Sequence, residues 1–163
     1  MSAVQEWGGC TEAGMIVGGT DDPDDYDRAC AVEDLTAVIA VDTHGTRALV
    51  MSDEPATSCL LPGRNVFLRW LAADSEARLL AAAEAMLDAP GTAWEDSGVW
   101  ETDGPAVLMD SAEAGADLAT PYPDSSRLPE QTLVAVPADR WRVCAFQTTD
   151  DPPWVGVVQL IAE

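Results

Sequence analysis

Apolar residues in this chain come in short runs, each closed by an acidic or proline-containing turn, and only one run carries a helical period. That pattern restricts the chain to a sheet-rich fold with a single main helix. Thr36–Val41 is a β-branched run, Asp42-Thr43-His44-Gly45 makes a turn, and Thr46–Met51 is a second run. Together they predict a hairpin with a four-residue loop, which Asp53-Glu54-Pro55 ends. Met15–Val17 reads as a short strand after the glycine-rich Trp7-Gly8-Gly9, and Gly18 to Arg28 as a solvated acidic loop. Val66–Leu71 alternates apolar positions and reads as a further strand. Asp74–Asp88 is the helix: Asp74 is the expected N-cap, and Leu79, Ala83, Met86 and Leu87 share one face. Asp88-Ala89-Pro90-Gly91 stops it.

The second half restarts the strand pattern. Ala106–Met109 is a short strand, and a polar, proline-rich loop runs from Asp110 to Glu130. Thr132–Val136 and Trp141–Phe146 flank the turn Pro137-Ala138-Asp139-Arg140 and predict a second hairpin, followed by a last strand at Trp154–Ile161. A shift of 95 residues lays Ala40, Val41 and Arg47 on Ala135, Val136 and Arg142. The expectation is an α+β protein, mostly antiparallel sheet, built from two diverged β repeats of strand, hairpin and strand. One domain spans 1–163, with repeats at 7–72 and 98–163 joined by the helix and link at 73–97. A chain of this length buries enough surface for a core without covalent staples.

Charge narrows the function. There are 29 acids against 8 bases, every base is Arg, and the formal net charge is −21. Nucleic acid and anionic membrane surfaces need a basic face and are not expected partners. A basic protein is attracted at long range instead. Hydrophobic residues at 47% and a mean hydropathy of −0.01 supply a core despite the charge. The same charge also serves solubility, which favours a monomer over an oligomer.

Catalytic and metal signatures are missing. His44 is the only imidazole and falls in a hairpin turn; no G-x-S-x-G elbow occurs, and a chain without Lys has no phosphate-binding P-loop. Cys10, Cys30, Cys59 and Cys144 form no C-x-x-C pair and are expected as reduced core thiols. The start of the chain has neither a basic region nor an apolar stretch, so a cytoplasmic location is expected. Calcium fits poorly, because Pro23 and Tyr26 interrupt the acidic run and no Gly stands in register. No cofactor, no metal and no catalytic residues are expected.

Two segments are candidates for binding a partner. The first is the acidic run Asp21, Asp22, Asp24, Asp25 and Asp27 with Tyr26 as an aromatic anchor. The second is the link after the helix, where Trp94 and Trp100 stand beside Glu95, Asp96, Glu101 and Asp103. Each has a plain structural alternative: a solvated loop for the first, packing of the link onto the sheet for the second. Trp70, Trp141 and Trp154 lie on expected strands and are read as core anchors.

Four segments carry a resemblance. Asp25-Tyr26-Asp27-Arg28-Ala29-Cys30, Asp53-Glu54-Pro55-Ala56, Arg69-Trp70-Leu71-Ala72-Ala73-Asp74-Ser75-Glu76 and Trp100-Glu101-Thr102-Asp103-Gly104-Pro105 resemble the immunity protein 21 family of actinobacteria. A W-x-G element of that family has two matches here, Trp7-Gly8-Gly9 and Trp154-Val155-Gly156. The resemblance implies an α+β protein encoded beside a secreted polymorphic toxin, which it neutralises in the producing cell by binding it. The competing readings are an acidic regulatory module that mimics nucleic acid, and a metal-dependent enzyme built on a carboxylate pair.

Overall fold

The computed structural model describes residues 2–4, 25–41, 46–51, 56–61, 63–113, 115–148 and 150–163. The chain order is β1 (Ser2–Val4), α1 (Asp25–Cys30), β2 (Thr36–Val41), β3 (Thr46–Met51), β4 (Thr57–Leu61) and β5 (Val66–Ala72). Then come α2 (Glu76–Asp88), β6 (Glu95–Thr102), β7 (Ala106–Met109), a 3-10 turn at Gly115–Asp117, β8 (Gln131–Val134), β9 (Asp139–Gln147) and β10 (Trp154–Ala162). It is an α+β protein dominated by antiparallel sheet. The first sheet has the order β2-β3-β1-β7-β8 and the second β4-β5-β10-β9-β6.

The two sheets pack face to face. Leu49, Met51, Ala106, Leu108 and Val134 of the first meet Phe67, Trp100, Trp141, Val143, Ala145, Val158 and Leu160 of the second in one buried cluster. β6 runs across the ends of the first sheet's strands. Trp100 Nε1 donates to the Arg47 carbonyl of β3 at 3.1 Å, and within four residues of Thr102 the chain has entered β7. Crossed strands of this kind let a chain turn a corner from one sheet to the other. The other face of the second sheet carries α2, whose Leu79, Ala83 and Met86 pack on Val66, Leu68, Val155 and Val157. The alternation along β5 follows from this sandwiching: Val66 and Leu68 face the helix, Phe67 faces the first sheet.

Several sequence expectations meet corrections. The second hairpin does not exist: β8 pairs with β7 in the first sheet, and β9 pairs with β10 and β6 in the second. The residues between β8 and β9 carry the chain between sheets instead of turning it back. The 95-residue shift therefore lays a true hairpin, in which Ala40 opposes Arg47, on an inter-sheet crossing. The helix begins at Glu76, two residues later than expected, and its cap is Ser75 instead of Asp74: Ser75 accepts from the Arg78 N–H at 3.4 Å, while Asp74 pairs with the Arg78 side chain. Part of the acidic loop is helical, since Asp25–Cys30 forms α1, with acids in its first turn and Arg28 in its last. The expected strand Met15–Val17, the turn 42–45 with His44, Trp7 and Cys10 lie outside the described residues. Trp141 is core at 3% exposure, but Trp154 is exposed. Cys144 is buried, whereas Cys30 and Cys59 are exposed thiols, which corrects their reading as core residues.

Gly156 explains one of the two W-x-G matches. It faces Arg69 across the β10–β5 ladder, on the side that looks toward the first sheet. A Cβ at Gly156 would lie 3.3 Å from the Arg69 Cβ, tighter than side chains normally pack, and Arg69 itself is buried. The glycine thus makes room for the stem of a large side chain inside the sandwich.

Two stability measurements check this account. Ser75→Ala is expected to lower unfolding free energy in urea by about 1 kcal/mol, the usual cost of an N-cap. Asp74→Ala costs less, because it removes only an exposed ion pair with Arg78. Gly156→Ala is expected to cost roughly 1–3 kcal/mol through overpacking against Arg69; an unchanged midpoint would show that the space beside Arg69 is not needed.

Candidate functional site: an acidic corner

The arginines decide where negative charge is left exposed. At least five of the eight sit in ion pairs with the chain's own acids. On the exposed part of the second sheet, Arg140 holds Glu101 at 2.5 Å and Glu163 at 2.6 Å. Arg142 holds Asp96 at 2.7 Å. These contacts arise because β6 and β9 are neighbours whose outward positions oppose acid to Arg, as in the Glu101–Arg140 pair. A bulge at Gly98, whose φ is +90°, re-aims β6 so that the Gly98 N–H donates to Asp96 Oδ1 at 3.0 Å. That backbone hydrogen bond, joined by the one from Arg142, holds the Asp96 carboxyl below the usual carboxylate range. Glu163 first, then Glu101, raises the Arg140 guanidinium, and Asp96 raises Arg142.

This geometry corrects the second candidate segment. Trp100 has no exposed surface and bridges the sheets through its indole N–H, so it is a core residue and not a partner anchor. Trp94 packs its ring on Phe146, with centroids 6.1 Å apart, in the cluster beneath α2. Asp96 and Glu101 are exposed but held by arginines, which leaves Glu95 and Asp103 as the exposed acids of the segment outside those ion pairs.

The first candidate segment is only partly described. Asp21, Asp22 and Asp24 lie outside the described residues. Asp25 is buried at the start of α1 and pairs with Arg28, so it is withdrawn from the surface. Tyr26 is exposed at 39% and Asp27 is exposed. The Tyr26 phenol is pushed up by its hydrogen bond with Cys30 and further by the charges of Asp110 and Asp27.

The loop that follows β7 forms a concave corner which sequence reasoning passed over as a polar linker. Asp110, Glu113, Tyr122, Arg127 and Glu130 line a cavity of about 350 Å³ together with Ala56 and Thr57 at the start of β4. The walls are set by local hydrogen bonds. Asp110 Oδ1 accepts from the Ala112 N–H at 3.0 Å, and the Tyr122 N–H donates to the Arg127 carbonyl at 3.0 Å. Gln131 Nε2 reaches the Leu118 carbonyl at 2.5 Å. The Tyr122 hydroxyl donates to Glu113, and this bond, with partial burial and the Glu113 charge, raises the phenol above its ordinary value. Three carboxylates face one guanidinium, Arg127, which lies 3.6 Å from Glu130 and is largely exposed with it. The corner is therefore net negative, lined in part by the Tyr122 side chain, and sized for a long cationic side chain. Among the described residues, no three His, Cys, Asp or Glu side chains converge closely enough to hold a metal ion. No described helix is long and apolar enough to cross a membrane.

Two substitutions separate core from surface here. Trp100→Ala is expected to cost about 3–5 kcal/mol in denaturant unfolding, the range for a buried aromatic; a near-neutral change would return Trp100 to the surface. The Asp96–Arg142 pair is acid-sensitive. Because the folded carboxyl titrates below its unfolded value of about 3.9, its contribution is full above that pH and vanishes as pH falls through the lowered folded value. The stability advantage of the native chain over Asp96→Asn is thus expected to be full near neutral pH and to shrink as pH falls below the unfolded carboxyl value in parallel acid-unfolding curves.

Comparison with known proteins adds one match. No curated protein and no solved structure is similar to this chain. The family described as Immunity protein 21 matches residues 1–153, which takes in the first sheet, α2, the acidic corner and every strand of the second sheet except β10. The chain belongs to the Immunity protein 21 family.

Proposed function

We propose that this protein binds a cognate protein toxin of basic character and neutralises it by occluding its active site or substrate groove. Membership of an immunity family supplies the class of partner. The sign of the exposed charge carries the rest of the reading. With five arginines held in ion pairs with the chain's own acids, the 110–130 corner gathers three carboxylates around the single guanidinium of Arg127. Tyr122 offers aromatic contact area in the corner, and Tyr26 offers it on α1. Such a surface steers a basic protein into encounter, and the aromatic contacts govern how slowly it leaves. Binding is the whole activity in this reading: the protein acts in the cytoplasm of the producing cell, as a monomer and without a cofactor. Of the residues read from the sequence, Tyr26, Glu95 and Asp103 are exposed and serve as contacts, as does the exposed Asp27, and Asp110, Glu113 and Glu130 join them.

The test is a titration against the toxin domain encoded beside this gene, by surface plasmon resonance at rising NaCl. Association is expected to slow by about tenfold or more between low and high salt. Glu113→Gln with Glu130→Gln is expected to weaken binding by roughly tenfold, about 1.4 kcal/mol. Glu101→Gln, whose acid is already paired to Arg140, changes it far less. Affinity indifferent to salt and to the corner acids would sink the electrostatic reading.

A further inference from the structure

We infer that the outer edge of β8 is a docking edge on which an extended segment of the basic partner adds as a further strand. This rests on the toxin-binding reading above and names how the partner is held. β8 is terminal in the first sheet, and among the described residues no strand pairs its outer side. Its backbone therefore presents alternate N–H and C=O groups outward. Exposed edges are normally blunted by charge, proline or a bulge. Here Gln131-Thr132-Leu133-Val134-Ala135-Val136 carries no charge and no proline, in a chain where charged residues make up 23%. Leu133 is 72% exposed, the most exposed large apolar side chain among the described residues, and Leu128 is 47% exposed just upstream. Leu133 opposes the half-buried Val107 on β7, so an added strand would extend an apolar row already present on that face.

Charge selects the occupant. Glu130 immediately precedes β8, and Glu113 and Asp110 line the cavity at that end of the strand. A segment lying along β8 with an Arg or Lys near its end would place that side chain in the corner while its backbone completes the ladder. A second copy of this chain is the poorer occupant, since two molecules of net charge −21 repel and would bring like carboxylates together.

The experiment uses the full chain and the toxin domain encoded by the adjoining gene. Three variants are compared: Leu133→Lys, Thr132→Pro and Leu133→Pro. Of positions 132 and 133, one directs its N–H to β7 and the other outward. The outward proline is expected to leave the melting temperature near that of the native chain, and the inward one to lower it. Binding should weaken at least tenfold in Leu133→Lys and in the outward proline variant. Backbone amides of 131–134 should exchange more slowly in the complex. If the native chain binds the toxin, all folded variants match it, and exchange slows only elsewhere, the edge assignment is overturned while the immunity reading stands. If the native chain does not bind the toxin domain, both are overturned. Sedimentation showing a dimer of the native chain that Leu133→Lys dissolves would give the edge to a second copy and overturn the proposal.

Discussion

The crossing of β6 over the first sheet holds the molecule together. Trp100 fills the space between the sheets, and its indole N–H satisfies the Arg47 carbonyl on the opposite sheet. Arg47 returns a bond to the Val99 carbonyl at 3.3 Å. Thr102, two residues along, ties the other end: its hydroxyl donates to the Pro137 carbonyl at 2.7 Å and accepts from the Trp141 indole at 3.0 Å. One strand thus fixes the relative placement of both sheets with buried aromatic area and satisfied polar groups. The acidic corner inherits its shape from that placement, because its walls come from the end of β7, the start of β4 and the approach to β8.

A second constraint is the scarcity of cations. Eight arginines must serve a chain with 29 acids. Their use is uneven. Arg140 and Arg142 quiet the exposed face of the second sheet, Arg28 and Arg78 act within or beside their helices, and Arg69 is sealed inside the sandwich. Exposed ion pairs stabilise little. Their larger effect is to decide which surface is left electrically one-sided. A guanidinium suits this task, because its planar fork holds two carboxylates, as Arg140 does with Glu101 and Glu163.

Regular elements whose side chains face one way along the strand or helix were legible in the sequence: β2, β3, β5, β7, β9, β10 and α2 follow from alternation or helical spacing. β6 was not, because Glu95-Asp96-Ser97-Gly98 looks like a loop until the arginines of β9 are placed opposite it. α1 was hidden by its aspartates, which read as turn residues but stand in the first turn of a short helix. The pairing of β8 misled for a different reason. Four turn-like residues between two apolar runs look the same whether the chain folds back or passes between sheets, and only tertiary packing distinguishes them. Among the site residues, Tyr26 and Asp27 were readable as exposed acid and aromatic. Asp110, Glu113 and Glu130 were not, since nothing local marks separated acids that a loop later gathers around one cavity.

The position of β1 has a consequence for the order of events during synthesis. Ser2–Val4 lies between β3 and β7, with Ser2 opposite both Val50 and Met109. The β2–β3 and β4–β5 pairs can form as soon as they leave the ribosome, since their contacts are local. The first sheet stays in two halves until a strand from the far side of α2 arrives to close it. Such late, long-range closure slows folding relative to the local hairpins, and the nascent chain must keep an incomplete sheet from sticking to its neighbours meanwhile. The excess of acids is already present in the unfinished chain, with ten against two arginines by the end of β3, and that like charge gives it such protection.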